Sequence, residues 1–212
     1  MKTLFAIAAL AACQLTLAQK TQDLKDLKRI TLGSDMTLNL VKGSENKIVY
    51  NDEEIDVDFS NGSLQINGDG SVTVYYKNEL ESITAGSDAH VSGSDEINGK
   101  SFTLTAGSDS NIDLNLNVKD LTVAAGSDAQ VTLSGKADKA TVAAGSDAEF
   151  NGKELSVKGD ADVTLGSDAE GRITAKGTVN AVVTSDAQLT IYGGPKKVNE
   201  TKSGDAEIIV MQ

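Results

Sequence analysis

Aspartate is the residue whose spacing in this chain invites a chemical reading. It recurs at Asp88, Asp109, Asp128, Asp147, Asp168, Asp186 and Asp205, at separations of 21, 19, 19, 21, 18 and 19 residues. Carboxylates repeated at that period would stack into a ladder of like charge, which repels itself unless backbone donors, lysines or a cation compensate it. Calcium is the natural cation, so Asp88, Asp109, Asp128, Asp147, Asp168 and Asp186 are the candidate ligands. The signal is slight. Calcium-binding solenoids carry Gly-Gly-x-Gly-x-Asp nonapeptides at a nine-residue period, and this chain has neither. The expectation is therefore a structural role, with no metal and no cofactor.

Other chemistry is sparsely furnished. The single histidine, His90, falls in a polar column and reads as a solvated side chain. One histidine and one cysteine leave zinc sites and Cys/His or Ser/His/Asp catalysis without their parts. The Gly-Ser-Asp phrases lack the lysine and spacing of a phosphate loop. Asp160 with Asp162, or the run Asp52-Glu53-Glu54, could serve as an acid–base pair. Lyases of acidic polysaccharides also want clustered cations, and Arg29 and Arg172 are the only arginines. The chain is expected not to be an enzyme; a polysaccharide-active enzyme is the alternative.

The elements that position these residues follow from the repeat. Ala85-Gly86-Ser87-Asp88-Ala89 returns around Asp109, Asp128, Asp147 and Asp168, and in decayed form around Asp186 and Asp205. A period near twenty marks stacked structural units. Five residues before the aspartate stand Ile83, Leu104, Val123, Val142 and Val163; three after stand Val91, Ile112, Val131, Phe150, Leu189 and Ile208, broken by Gly171. Five after stand Leu114, Leu133, Ile173, Ile191 and Val210, broken by Gly93 and Gly152. Polar residues alternate between them, which is the period of half-buried strands. A coil of about twenty residues is too short for a βαβ unit. The fold expected is all-β: a parallel β-helix or solenoid of about twenty residues per coil, preceded by a strand-rich N-terminal cap. If the parity runs through the phrase, Ser87 points in and Asp88 out, with the carboxylate accepting from nearby backbone N–H groups.

Along the chain, residues 1–18 read as a signal peptide: Lys2, an apolar run from Leu4 to Leu17, and a cleavage site after Ala18. Leu10-Ala11-Ala12-Cys13 has the form of a lipobox, so a lipoprotein anchored through Cys13 is the alternative. Cleavage after Ala18 would leave no cysteine and hence no disulfide. Residues 19–28 read as a polar linker. Residues 29–212 read as one solenoid domain, with N-terminal strands over 29–79 and the repeat array over 80–212. Gly33-Ser34-Asp35 is an early, isolated copy of the phrase. Asn61-Gly62 signals a hairpin, and Asn98-Gly99-Lys100, Ser134-Gly135-Lys136 and Asn151-Gly152-Lys153 read as turns between coils. Losing Lys2 takes the formal charge from −12 to −13. That acidity argues against nucleic acid and anionic lipid as partners. No segment reads as transmembrane. The absence of tryptophan leaves little for aromatic stacking on sugars or bases.

Over roughly residues 25–210 the chain resembles the putative auto-transporter adhesin, head GIN domain family of bacterial exported proteins. The resemblance rests on Leu27-Lys28-Arg29-Ile30-Thr31-Leu32, the stretch Met36 to Leu40 with Val41-Lys42-Gly43, and the Gly-Ser-Asp-Ala ladder. It implies a β-solenoid with a strand-rich N-terminal part and a Bacteroidetes-like source. It offers no catalytic residues to carry over. The function expected is an exported, non-enzymatic binding or structural module of the cell envelope. It would be periplasmic, outer-membrane or surface-located and adhesin-like, with an envelope or surface ligand of protein or glycan. A calcium-stabilised structural solenoid is a further alternative.

Overall fold

The computed structural model describes residues 19–51 and 54–211. The expected signal peptide, Cys13, and Asp52 and Glu53 of the acidic run lie outside the described residues. The N-terminal strands are β1 (Lys20–Asp23), β2 (Arg29–Leu32), β3 (Met36–Lys42), β4 (Lys47–Tyr50), β5 (Asp56–Ser60), β6 (Ser63–Asn67) and β7 (Gly70–Tyr76). The array adds β8 (Ser82–Ala85), β9 (His90–Ala106), β10 (Asn111–Ala125), β11 (Gln130–Ala144), β12 (Glu149–Val157) and β13 (Ala161–Leu165). It ends with β14 (Glu170–Ala175), β15 (Thr178–Thr184), β16 (Gln188–Tyr192), β17 (Lys197–Ser203) and β18 (Glu207–Val210). The described residues contain no helix.

Every coil stacks in parallel on its neighbour, as the alternation predicts. Asn111 pairs with Gln130 and Gln188 with Glu207, one coil of 19 residues apart, while Glu170 pairs with Gln188 at 18. The core is the apolar column set read from the sequence: Ile83, Leu104, Val123, Val142 and Val163 are all at most 1% exposed. The Ser-Gly-Lys and Asn-Gly-Lys signals do not break the strands. β9, β11 and β12 run through them, with the ladder between coils shifting register at Thr132/Gly135 and Gly152/Ser156.

The N-terminal third departs from chain order. β2 pairs in parallel with β8 on one side and with β6 on the other, and β3 likewise lies between β9 and β7. The coil of residues 63–76 therefore sits outside the coil of residues 29–42, at the N-terminal end of the stack. Beyond it β5 pairs antiparallel with β6, β4 with β7, and β1 with β4. The Asn61-Gly62 hairpin forms as expected, with φ of 51° and 75°. Residues 19–28, expected as a linker, are built into this cap: β1 is a strand, and Leu24 and Leu27 are buried. Their spacing in a polar stretch hid a contribution that needs the rest of the cap to become visible.

The other end of the stack differs in chemistry. Glu200 and Lys202 pair in register with Ala181 and Val183, so they occupy the inward column on β17. Inward-pointing charge on an outer strand discourages further strand addition. β18, in contrast, reads Glu207-Ile208-Ile209-Val210.

Candidate binding surface

The Gly-Ser-Asp turn is a three-residue corner. Asp35, Asp88, Asp109, Asp128, Asp147 and Asp168 hold φ between 56° and 60°, the left-handed region that aspartate tolerates better than most residues. The inward parity is kept across the phrase, with Ala85, Ala89 and Val91 all buried and Asp88 exposed, but the serine does not take its inward place. Ser127 and Ser146 are exposed, Ser87 is half-buried, and the inward position passes to Ala89 and its equivalents. Backbone groups tie the corners together: the Gly107 N–H donates back to Ala85 O at 2.9 Å, and the Asp88 N–H donates forward to Ser108 O at 3.0 Å. The aspartate thus contributes its N–H and its conformation, and its carboxylate stays exposed.

Glycine is needed because the corners nearly touch. A Cβ on Gly107 would lie 2.5 Å from the carbonyl carbon of Gly86, and one on Gly86 2.7 Å from that of Gly33. Where Thr184 replaces glycine, the positive φ moves one residue earlier, to Ser185, so Asp186 leaves the series. Asp35 joins it instead: its N–H donates to Ser87 O at 3.0 Å, and the phrase at 33–35 heads the ridge. That placement depends on a pairing 53 residues away, which no local pattern signals. Among the described residues, no three His, Cys, Asp or Glu side chains converge as a metal site. In the fourth position of one copy, Ser110 replaces alanine; it is buried, and its hydroxyl donates to Gly107 O at 2.6 Å.

The other sequence candidates are spread out. His90 is exposed, between Thr37 and Asn111 in register. Asp160 Oδ1 accepts from the Thr178 N–H at 2.8 Å, and Asp162 Oδ1 from Asn180 Nδ2 at 2.7 Å; the Oδ1 of Asn180 in turn accepts from Asn199 Nδ2. These carboxylates clip coil to coil. Arg172 Nη1 donates to Glu149 at 2.7 Å, and Arg172 also pairs with Glu170; the Glu149 hydrogen bond above all raises its pKa. Arg29 and Lys28 share Glu81, at 3.1 and 3.0 Å. The Lys28 hydrogen bond is the main cause holding that carboxyl below the usual carboxylate range.

A polar groove of about 440 Å³ is lined by Asn39, Ser92, Ser94, Asp113, Asn115 and Ser134, with Gly93 and Leu114 beside them. A bulge builds it. Gly93 pairs with Leu114, but Glu96 pairs with Asn115, so Ser94 and Asp95 are extra residues on β9. They are pinned outward. The Lys42 N–H donates to Asp95 Oδ2 at 2.9 Å, Tyr76 Oη donates to Asp95 O at 3.3 Å, and Asn115 Nδ2 donates to Ser94 O at 3.3 Å. Burial, followed by the nearby Asp95 and Glu96 charges, pushes the Tyr76 hydroxyl up to about 12. The lining supplies hydroxyl and amide groups with one carboxylate, a set that hydrogen-bonds neutral polar ligands. Gly93 interrupts its apolar column in the sequence, but the interruption alone does not signal the two-residue insertion on the same strand.

A parallel stack of coils, closed at one end by antiparallel strands and studded with Gly-Ser-Asp corners, defines the class as a capped β-solenoid. The chain belongs to the putative auto-transporter adhesin, head GIN domain family, whose model matches residues 26–195. The fold is shared with a putative adhesin from Bacteroides fragilis NCTC 9343 (TM-score 0.80, 16% identity, covering 92% of this chain and 96% of that one). It is shared also with a putative adhesin from Parabacteroides distasonis ATCC 8503 (TM-score 0.64, 15% identity, 92% and 96%). A protein from the same organism described as a putative lipid binding protein is similar as well (TM-score 0.61, 13% identity, 91% and 96%). No curated protein matches the chain.

Proposed function

We propose that the chain is an exported, non-enzymatic binding module of the bacterial envelope, making adhesin-like contact with a neutral polar ligand, glycan or protein. The observation that carries this reading is the groove at the β9 bulge. Its amide and hydroxyl groups are held on a rigid sheet, and Lys42, Tyr76 and Asn115 fix the bulge that shapes it. The family and the signal-like residues 1–18 support export. The scattered carboxylates and the single exposed histidine support a role without catalysis. Stacked coils give an extended surface on which weak contacts can add.

Purified residues 19–212 would be screened against arrays of glycans and matrix proteins beside Asn39→Ala/Asn115→Ala. Binding weakened about tenfold or more in the variant is the expected result. Absence of binding across both arrays, or binding the variant leaves unchanged, overturns this assignment. Protease shaving of intact cells, with a periplasmic control, tests surface display.

A further inference from the structure

Among the described residues, β18 hydrogen-bonds to β16 alone. The Glu207 N–H donates to Ala187 O at 3.0 Å and the Met211 N–H to Ile191 O at 2.8 Å, so these residues face back into the stack. Backbone groups alternate in direction along a strand, so the N–H and C=O of Ile208 and Val210 face the outer edge. The side chains there are apolar: Ile208 and Ile209 are half-buried, while Val210 and Met211 are 42% and 48% exposed. An apolar edge strand with unpaired backbone groups is a template for another strand.

The sequence of this edge is complementary to itself. We propose that β18 pairs antiparallel with β18 of a second copy, about a two-fold axis at Ile209, joining two solenoids end to end. In that register Ile208 stands opposite Val210 of the second copy, and Val210 opposite Ile208. These are the residues whose backbone groups face the edge, so each pair exchanges two N–H···O bonds. Glu207 meets Met211, and no like charges oppose one another. The same rotation reverses β17 over its copy. Thr201 and Ile209 are each four residues from Asp205, on opposite sides of the corner. The axis therefore passes near Thr201, setting Glu200 over Lys202 of the second copy. Those two residues already pair within the chain at 3.9 Å. The inward charges on β17 thus refuse an apolar strand yet match their own reversed copy, which selects a closed dimer over a growing fibre. Two strands per copy make a small interface, so association is concentration-dependent.

Sedimentation velocity over a dilution series of residues 19–212 tests this, beside Ile209→Lys, Ile209→Glu and Val210→Pro, with a melting curve for each. The proline removes only an edge-facing N–H. The expected result is a monomer–dimer equilibrium in the parent protein. The lysine variant should weaken it by roughly tenfold or more, the proline variant should also weaken it, and mixing the lysine and glutamate variants should restore dimer. A monomer at every concentration, a filament, or a dimer that Ile209→Lys and Val210→Pro both leave intact while folded overturns the proposal.

Discussion

Phe150 and Gly152 share one space in the core. A Cβ on Gly152 would stand 2.8 Å from Cε1 of Phe150, whose ring is fully buried. In the next coil Gly171, in register with Phe150, leaves room for leucines instead: a Cβ there would lie 2.9 Å from Leu165 Cδ1 and 3.0 Å from Leu189 Cδ1. The glycines that interrupt the apolar columns thus make room for larger neighbours, the Phe150 ring at Gly152 and leucine side chains at Gly171, conserving volume in a close-packed interior. Phe150→Ala should destabilise by roughly 3–5 kcal/mol and Gly152→Leu by roughly 1–3 kcal/mol. Phe150→Leu combined with Gly152→Ala should be more stable than the two single changes sum to, by about 1 kcal/mol. Urea unfolding of the four proteins measures the coupling; strict additivity contradicts it.

The corners set a second expectation. At Asp128, φ is 57°. Asp128→Asn and Asp128→Gly should keep stability within about 1 kcal/mol, whereas Asp128→Val should lose roughly 1–2 kcal/mol or more. Gly107→Ala should cost more than Gly145→Ala, since the added Cβ would meet the preceding corner at 2.5 Å in the first case and 3.2 Å in the second. Thermal melts of the five variants give the order.

Alkaline pH should act through Tyr76. Its folded value is raised from the ordinary value near 10 to about 12, so the folded state favours the protonated hydroxyl. The stability this confers is fully present below pH about 10 and is lost as pH rises through about 12. Tyr76→Phe should be less stable at neutral pH, having lost the bond to Asp95 O. Its melting temperature should fall less steeply across that window. Parallel slopes for the two proteins would refute the assignment.

Calcium should leave the fold alone. The ridge carboxylates are exposed, and the corner is closed by backbone N–H groups. Melting temperatures in EDTA and in millimolar calcium should agree once ionic strength is matched. A rise specific to calcium would revive Asp88, Asp109, Asp128, Asp147 and Asp168 as ligands.

Much of the array was legible because its information is local. Alternation on both sides of each Gly-Ser-Asp phrase fixes which residues turn inward, and a recurring period sets the coil; the register of Asn111 with Gln130 follows from counting. The sense of Gly152 and Gly171 was not legible, since a column of residue types does not show that the Phe150 ring fills the gap at the first and the Leu165 and Leu189 side chains the gap at the second. Nor was the groove, which depends on two extra residues in β9 and on Lys42 and Tyr76 reaching them from other coils.

By itself, then, the sequence determined an all-β solenoid, its period and its apolar columns, because strand alternation and turn chemistry act between residues close in the chain. The tertiary structure alone decided that coil 63–76 lies outside coil 29–42, that Asp35 heads the ridge, and that β17 and β18 form an end of unlike halves. Those outcomes rest on pairings such as Arg29 with both Ser63 and Ser82. Several strands of similar pattern compete for each edge, and the choice is settled only when the whole stack buries its core.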